Sequence, residues 1–132
     1  MRYLLDTNIC IYIIKKSPAH ILEKLTSTQV GDAGISSITL SELEYRVAKS
    51  NRPQQNREAL SAFLTPFEIL SYDQSAAIHY GAIRSYLEKK GILIGPMDRL
   101  IAAHALSLSL IMVTNNVREF KRVPNLRLEN WS

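Results

Sequence analysis

The chain has 132 residues, 46% of them hydrophobic and 21% charged, which excludes a disordered polymer and leaves room for one domain rather than two. Its single cysteine, Cys10, excludes an internal disulfide and a cysteine-built zinc site, and points to a reducing compartment. No apolar run approaches the ~20 residues of a bilayer span, the start lacks a small-residue cleavage site, and the net charge is +4; the expectation is a single cytoplasmic domain over 1–132 whose surface suits a polyanion.

Residues 2–5 read as a buried strand that runs into Asp6. Residues 9–15 read as a short helix, with Thr7 and Asn8 as capping side chains, although Ile9-Cys-Ile-Tyr-Ile-Ile14 also has strand propensity. Lys15-Lys16-Ser17-Pro18 breaks it, and Pro18 suits the first turn of a helix reaching about Thr26. Gly31-Asp32 is a turn, and residues 33–38 form the second strand. Thr39 opens a helix with Leu40, Leu43, Val47 and Ala48 on one side. A helix after Pro53 buries Leu60, Phe63 and Leu64. Residues 67–70 form a third strand. Asp73 caps a long helix to Lys90, with Ala77, Tyr80, Ile83 and Leu87 inward and Gly91 at its end. Gly95-Pro96 is a loop before the apolar helix 97–109. Residues 110–114, Leu-Ile-Met-Val-Thr, form the clearest central strand. A helical turn over 115–120 and an edge strand over 126–129 close the chain. Strands alternate with helices, so the class is α/β: a mainly parallel sheet of four to five strands between two helical layers.

Four acids recur at one kind of place. Asp6 leaves the first strand. Glu42 stands three residues after Thr39, Asp98 two after Pro96, and Glu119 three after Asn116. Each has a local explanation. Thr39 with Glu42 matches a capping box, Asn116 with Glu119 resembles one, Asp98 complements a helix dipole, and Asp6 suits an Asx turn. Geometry favours more. In a parallel sheet the connecting helices run opposite to the strands, so their N-termini gather along the carboxyl edge of the sheet, where Asp6 also lies. Carboxylates brought close together raise one another's pKa, and a hard divalent cation, Mg²⁺ or Mn²⁺, relieves that repulsion. An acidic metal pocket on a basic protein suits phosphodiester chemistry. Thr7, Asn8, Ser36, Ser37, Thr114, Asn115 and Asn116 are the neutral polar groups along this edge; Asn8, Ser37, Thr114 and Asn116 are the ones expected to hold carboxylates and waters, and Asn116 offers an amide oxygen of its own. His20, His79 and His104 read as surface or packed histidines. There is no Gly-rich phosphate loop and no serine nucleophile elbow.

The runs Leu5-Asp6-Thr7-Asn8, Ser37-Ile-Thr-Leu-Ser-Glu42-Leu43, Gly95-Pro-Met-Asp98-Arg-Leu-Ile-Ala-Ala103-His104 and Val113-Thr-Asn-Asn116-Val-Arg-Glu119-Phe120 resemble the PIN-domain ribonucleases, most of all their VapC toxins. The resemblance covers essentially the whole chain, with four motifs in order. It implies an α/β/α fold and a Mg²⁺- or Mn²⁺-dependent endoribonuclease whose catalytic and metal-binding residues are Asp6, Glu42, Asp98 and Glu119. Family members often carry an aspartate where this chain has Asn116, and Asp where it has Glu119, which puts a second metal in doubt. Glu44 is the alternative to Glu42. The resemblance also implies a homodimer, an RNA substrate (the anticodon region of initiator tRNA), and a VapB antitoxin whose tail covers the active-site groove. Ile9, Ile11, Tyr12, Ile13, Leu43 and Val47 read mainly as core, with that groove as their second role.

Two other readings compete. A receiver-like signalling domain also has an acidic Mg²⁺ pocket, but it needs paired acids after the first strand and a lysine after a late one. A catalytically silent RNA-binding module would not need all four acids. Lys15, Lys16, Arg46, Arg99 and Arg118 are the candidate RNA contacts, with Lys49, Arg52, Lys121 and Arg122 as further phosphate partners.

Overall fold

Strands of two to four residues cannot stand alone, and this chain stacks them side by side in one parallel sheet. The structure, a computed structural model, describes residues 1–29 and 31–131. In chain order the elements are β1 (Tyr3–Leu5), α1 (Thr7–Lys15), α2 (Ala19–Thr26), β2 (Ala33–Ser36), α3 (Ser37–Lys49), α4 (Pro53–Leu64), β3 (Glu68–Leu70), α5 (Gln74–Lys89), α6 (Pro96–Ser107), β4 (Ile111–Val113), α7 (Val117–Phe120) and β5 (Leu128–Glu129). The sheet has five strands in the order β3-β2-β1-β4-β5, and each pairing is parallel.

Alternation along the strands divides the core in two. Tyr3 and Leu5 pack with Ile9, Ile13, Ile21, Leu43, Val47 and Leu60, so α1 to α4 cover one face. Leu4 and Met112 pack with Ile83, Leu87, Ile101 and Phe120, so α5 to α7 cover the other. Burial on both faces explains why β1 and β4 read as unbroken apolar runs. Cys10 is fully buried, as its isoleucine neighbours suggested. Among the described residues no helix is long and apolar enough to cross a membrane.

From β1 the chain steps outward to β2 and β3, then crosses back to β4 on the other side of β1. The order reverses between β1 and β4, and such a reversal opens a crevice at the carboxyl ends of the two strands. The N–H of Asp6 donates to the carbonyl of Val113 at 2.9 Å, which locks the two strand exits side by side.

Several boundaries differ from the sequence reading, and each difference bears on the site. α1 begins at Thr7, because Asp6 is its N-cap. β2 stops at Ser36, whose hydroxyl accepts the N–H of Ile38 at 3.1 Å and caps α3. Thr39 therefore lies inside the helix, fully buried, and does not cap it. Glu42 moves into the second turn, so the Thr39–Glu42 capping box does not exist; α3 has no acid in its first turn. Asp73 does cap α5, accepting from Ala76 at 3.1 Å, and Gly91 ends it with φ 69° while Ile92 donates back to Leu87. The inward residue in its first turn is Ala76; Ala77 is exposed.

Candidate active site

An open cavity of about 500 Å³ lies at the β1–β4 switch point. Asp6, Thr7, Asn8 and Ile11 line it from the start of α1. Ser41, Glu42, Tyr45, Arg46 and Lys49 line it from α3, and Met97 and Asp98 from the start of α6.

Asp6 is buried because it ends a core strand, and its Oδ1 accepts the N–H of Ile9 at 2.9 Å. Burial pushes its pKa up and the negative charge of Glu42 adds to the rise, while hydrogen bonds from the Thr114 side chain and from the backbone of Ile9 and Asn8 hold it down. Asp98 is half-buried in the first turn of α6. Its pKa is pushed up to about 7, first by burial, then by the charges of Glu119, Asp6 and Glu42 and by a hydrogen bond with Glu119. The same site would meet a Cβ on Gly95 at 3.2 Å from Asp98 Oδ2, so a glycine before Pro96 leaves the carboxylate its place.

Glu42 is held by the Thr7 hydroxyl, which donates to its Oε1 at 2.6 Å and lies 3.2 Å from Thr39 Oγ1. Glu119 accepts the Gly95 N–H at 3.1 Å through Oε1 and the Asn116 amide at 2.5 Å through Oε2. It does not line the main cavity. It borders a shallower one with Asn116, Arg118, Lys121 and Arg122, and reaches the other acids through Asp98. Glu44 turns away from the cavity and forms an ion pair with Arg57 at 2.9 Å, which leaves Glu42 as the acid of α3.

The other expected groups divide. Thr114 is fully buried, bonds the Asp6 side chain and accepts the N–H of Asn116 at 2.9 Å. Asn8 is exposed on the cavity wall. Asn116 serves Glu119 instead of facing the cavity. Ser37 does not line the cavity; its hydroxyl accepts the N–H of Tyr72 at 3.0 Å and ties α3 to the segment after β3. Arg46 lines the cavity, as does Lys49. Lys15 instead borders a neighbouring groove with Leu43, Val47 and Leu60, and Lys16 is the exposed C-cap of α1. Arg99 stands apart from these. It does not line the cavity, and its charge is felt by Glu88 of α5. Arg118 is exposed beside Glu119.

His104 is buried and packed, as read from the sequence. Its Nδ1 lies 2.8 Å from Ser36 Oγ, its ring meets Tyr72 edge to face at 5.6 Å, and burial lowers its pKa. The charge of Asp73 and a hydrogen bond to the backbone of Ser71 oppose that shift in part. Thr7 is one of the neutral polar groups the sequence places at this edge, whereas Tyr45 and Gly95 carry little sign of a site role. Their only sequence signals are that Tyr45 stands one helical turn beyond Glu42 and that Gly95 precedes Pro96.

Among the described residues no three of these carboxylates stand close enough together to form a ready-made metal site. The donor chemistry nonetheless fits a hard cation. The donors are all oxygens, and the ionisation of Asp98 is suppressed by like charges that a divalent ion would offset.

A doubly wound sheet with carboxylates at its switch point and cations on the rim puts the chain among the acid-centred α/β domains. Residues 3–126 match the PIN domain family. The chain is 47% identical over 131 residues to the tRNA(fMet)-specific endonuclease VapC of Salmonella typhimurium, covering 99% of this chain and 98% of the relative. It is 46% identical to the Ribonuclease VapC2 of Rickettsia felis, covering 99% and 98%. Its fold superposes with a TM-score of 0.95 on a chain of the DNA-bound VapBC structure from Salmonella typhimurium, at 46% identity and covering 100% and 99% of the two chains. The TM-score is 0.92, at 44% identity and 100% coverage of both, for VapBC2 from Rickettsia felis bound to a promoter DNA fragment. The chain belongs to the PIN-domain family and, within it, to the VapC proteins.

Proposed function

We propose that this chain, acting as one domain, is the toxin of a VapBC pair: an endoribonuclease that uses Mg²⁺ or Mn²⁺ to hydrolyse RNA phosphodiester bonds. Its substrate is tRNA, cut in the anticodon region of the initiator. A VapB antitoxin neutralises it, and the toxin is a homodimer. The substrate and antitoxin rest on the Salmonella relative named as a tRNA(fMet)-specific endonuclease and on the VapBC complexes that share this fold.

One observation carries the site assignment. Asp98 feels the charges of Glu119, Asp6 and Glu42, so four acids scattered over the sequence form one electrostatic group at one sheet edge. Asp6, Asp98, Glu42 and Glu119 would hold the cation. When bound, it lowers the pKa of a water and neutralises charge on the phosphate. The remaining work falls to the chain. Thr114 and the Ile9 N–H fix Asp6, Thr7 fixes Glu42, and Gly95 with Asn116 fixes Glu119. Arg46 and Lys49 on the cavity wall attract the phosphate backbone to an otherwise repulsive acidic pocket.

The receiver-like reading fails on its own requirement, because Thr114-Asn115-Asn116 and no lysine follow β4. A silent RNA-binding module is separated by experiment. Incubation of the purified chain with tRNA should give discrete cleavage in Mg²⁺ or Mn²⁺ and none in EDTA. Asp6→Asn and Asp98→Asn should each slow it about 100-fold or more while keeping the far-UV spectrum. Equal cleavage by both variants would overturn the assignment.

A further inference from the structure

The acidic cavity also carries surface that neither a metal nor a phosphate uses. Tyr45 is 63% exposed on its wall and Met97 is 45% exposed, with Ile11 half-buried beside them. An aromatic ring and a thioether left wet inside a charged pocket contribute little to folding. They suit a flat, partly apolar ligand face.

Their order along α3 is informative. Glu42, Tyr45 and Lys49 lie on successive turns, spread over roughly 10 Å of helix. Lys49 Nζ stands 4.8 Å from the centre of the Tyr45 ring, and Arg46 lines the same wall. An acid, an aromatic face and two cations therefore follow one another outward from the reacting centre. Single-stranded RNA presents a phosphate, a base and another phosphate in the same sequence, and its unpaired bases are bound by stacking on aromatic rings.

We propose that Tyr45, with Met97 lining the same cavity, is a stacking platform for an unpaired nucleobase next to the cleaved bond, and that Arg46 and Lys49 hold the adjoining phosphate. The chain thereby selects RNA whose bases are splayed out of a helix. This rests on the ribonuclease reading above and names the part of the substrate that the site grips.

The test pairs kinetics with a binding signal. Tyr45→Ala should raise KM for a single-stranded RNA oligomer about 10-fold with kcat little changed, while Tyr45→Phe and Tyr45→Trp stay near wild type. A ring this exposed can be removed without unfolding the chain, which a thermal melt checks. In the Asp98→Asn background, an RNA oligomer carrying 2-aminopurine should lose fluorescence on binding, and Tyr45→Ala should abolish that quenching. Unchanged KM and quenching in Tyr45→Ala would overturn the proposal. So would a loss shared by Tyr45→Phe, which would mean a hydroxyl contact. An effect seen only with an antitoxin peptide would make Tyr45 a protein-docking residue and would overturn it too. If the wild type cleaves no RNA, the ribonuclease reading fails, and the quenching experiment still decides the role of Tyr45.

Discussion

The hydroxyl of Thr7 donates to Oε1 of Glu42 at 2.6 Å, joining the first turn of α1 to the second turn of α3 across 35 residues. It is a hydrogen bond to a charged acceptor in a half-buried place, so its loss should cost about 1–2 kcal/mol. Thr7→Val keeps the branched shape and removes the donor. The expectation is a small drop in Tm and a roughly 10-fold loss of kcat, because an acid free to swing spends less time in position. Thr7→Ser should recover most of the rate. Single-turnover cleavage by the three proteins tests this, and equal rates would show that Glu42 needs no anchor.

Asp6 has two separable roles. Its carboxylate caps α1 through Ile9, a duty an asparagine also performs, whereas only the acid carries charge. Asp6→Asn should fold at least as stably as wild type, since the amide avoids the burial that raises the Asp6 pKa, and should not cleave RNA. Asp6→Ala should lose the cap as well, at about 1 kcal/mol. Chemical denaturation of both variants separates the roles.

For Asp98 the sign of the pH dependence is fixed by a folded pKa of about 7 against an ordinary value of 3.8. Between these values the folded chain holds a proton that the unfolded chain releases, so the metal-free protein loses stability as pH rises from about 4 to 7. Asp98→Asn should raise Tm at pH 8 and leave it unchanged below pH 4. Mg²⁺ or Mn²⁺ should stabilise the wild type more at pH 8 than at pH 5, where protons compete. Melts with and without the cation check both statements; a cation effect independent of pH would contradict them.

His104 titrates with the opposite consequence. Its folded pKa lies below the ordinary 6.5, so below that pH the unfolded chain takes up the proton first and stability falls as pH falls. His104→Gln should flatten this limb of the stability curve. His104→Ala should cost about 2–4 kcal/mol by leaving a cavity and removing the ring partner of Ser36, whose hydroxyl keeps only the Ile38 N–H. Because His104 ties α6 to the cap of α3, kcat should fall with the Ala variant even below its Tm.

Much of this was legible in one dimension. Alternating strands and helices, the caps at Asp73 and Gly91, and the places of Asp6, Asp98 and Glu119 at element ends follow from local patterning and capping chemistry. The errors share a cause. Thr39 was read as a cap because Thr-x-x-Glu is a strong local signal, but Ser36, engaged by His104 from 68 residues away, starts the helix earlier. Ser37, at the start of the same helix, engages the backbone of Tyr72, a partner 35 residues away that no local pattern announces.

By itself, then, the sequence determined the α/β class and the run of elements, because these depend on period and propensity, and it singled out the four acids as candidates. The tertiary structure decided which strand exits adjoin, that Asp98 shares its field with three other carboxylates, and that Thr7 holds Glu42. Those are relations between residues far apart in the chain. They exist only once the crossover from β3 to β4 brings the carboxyl ends of β1 and β4 together.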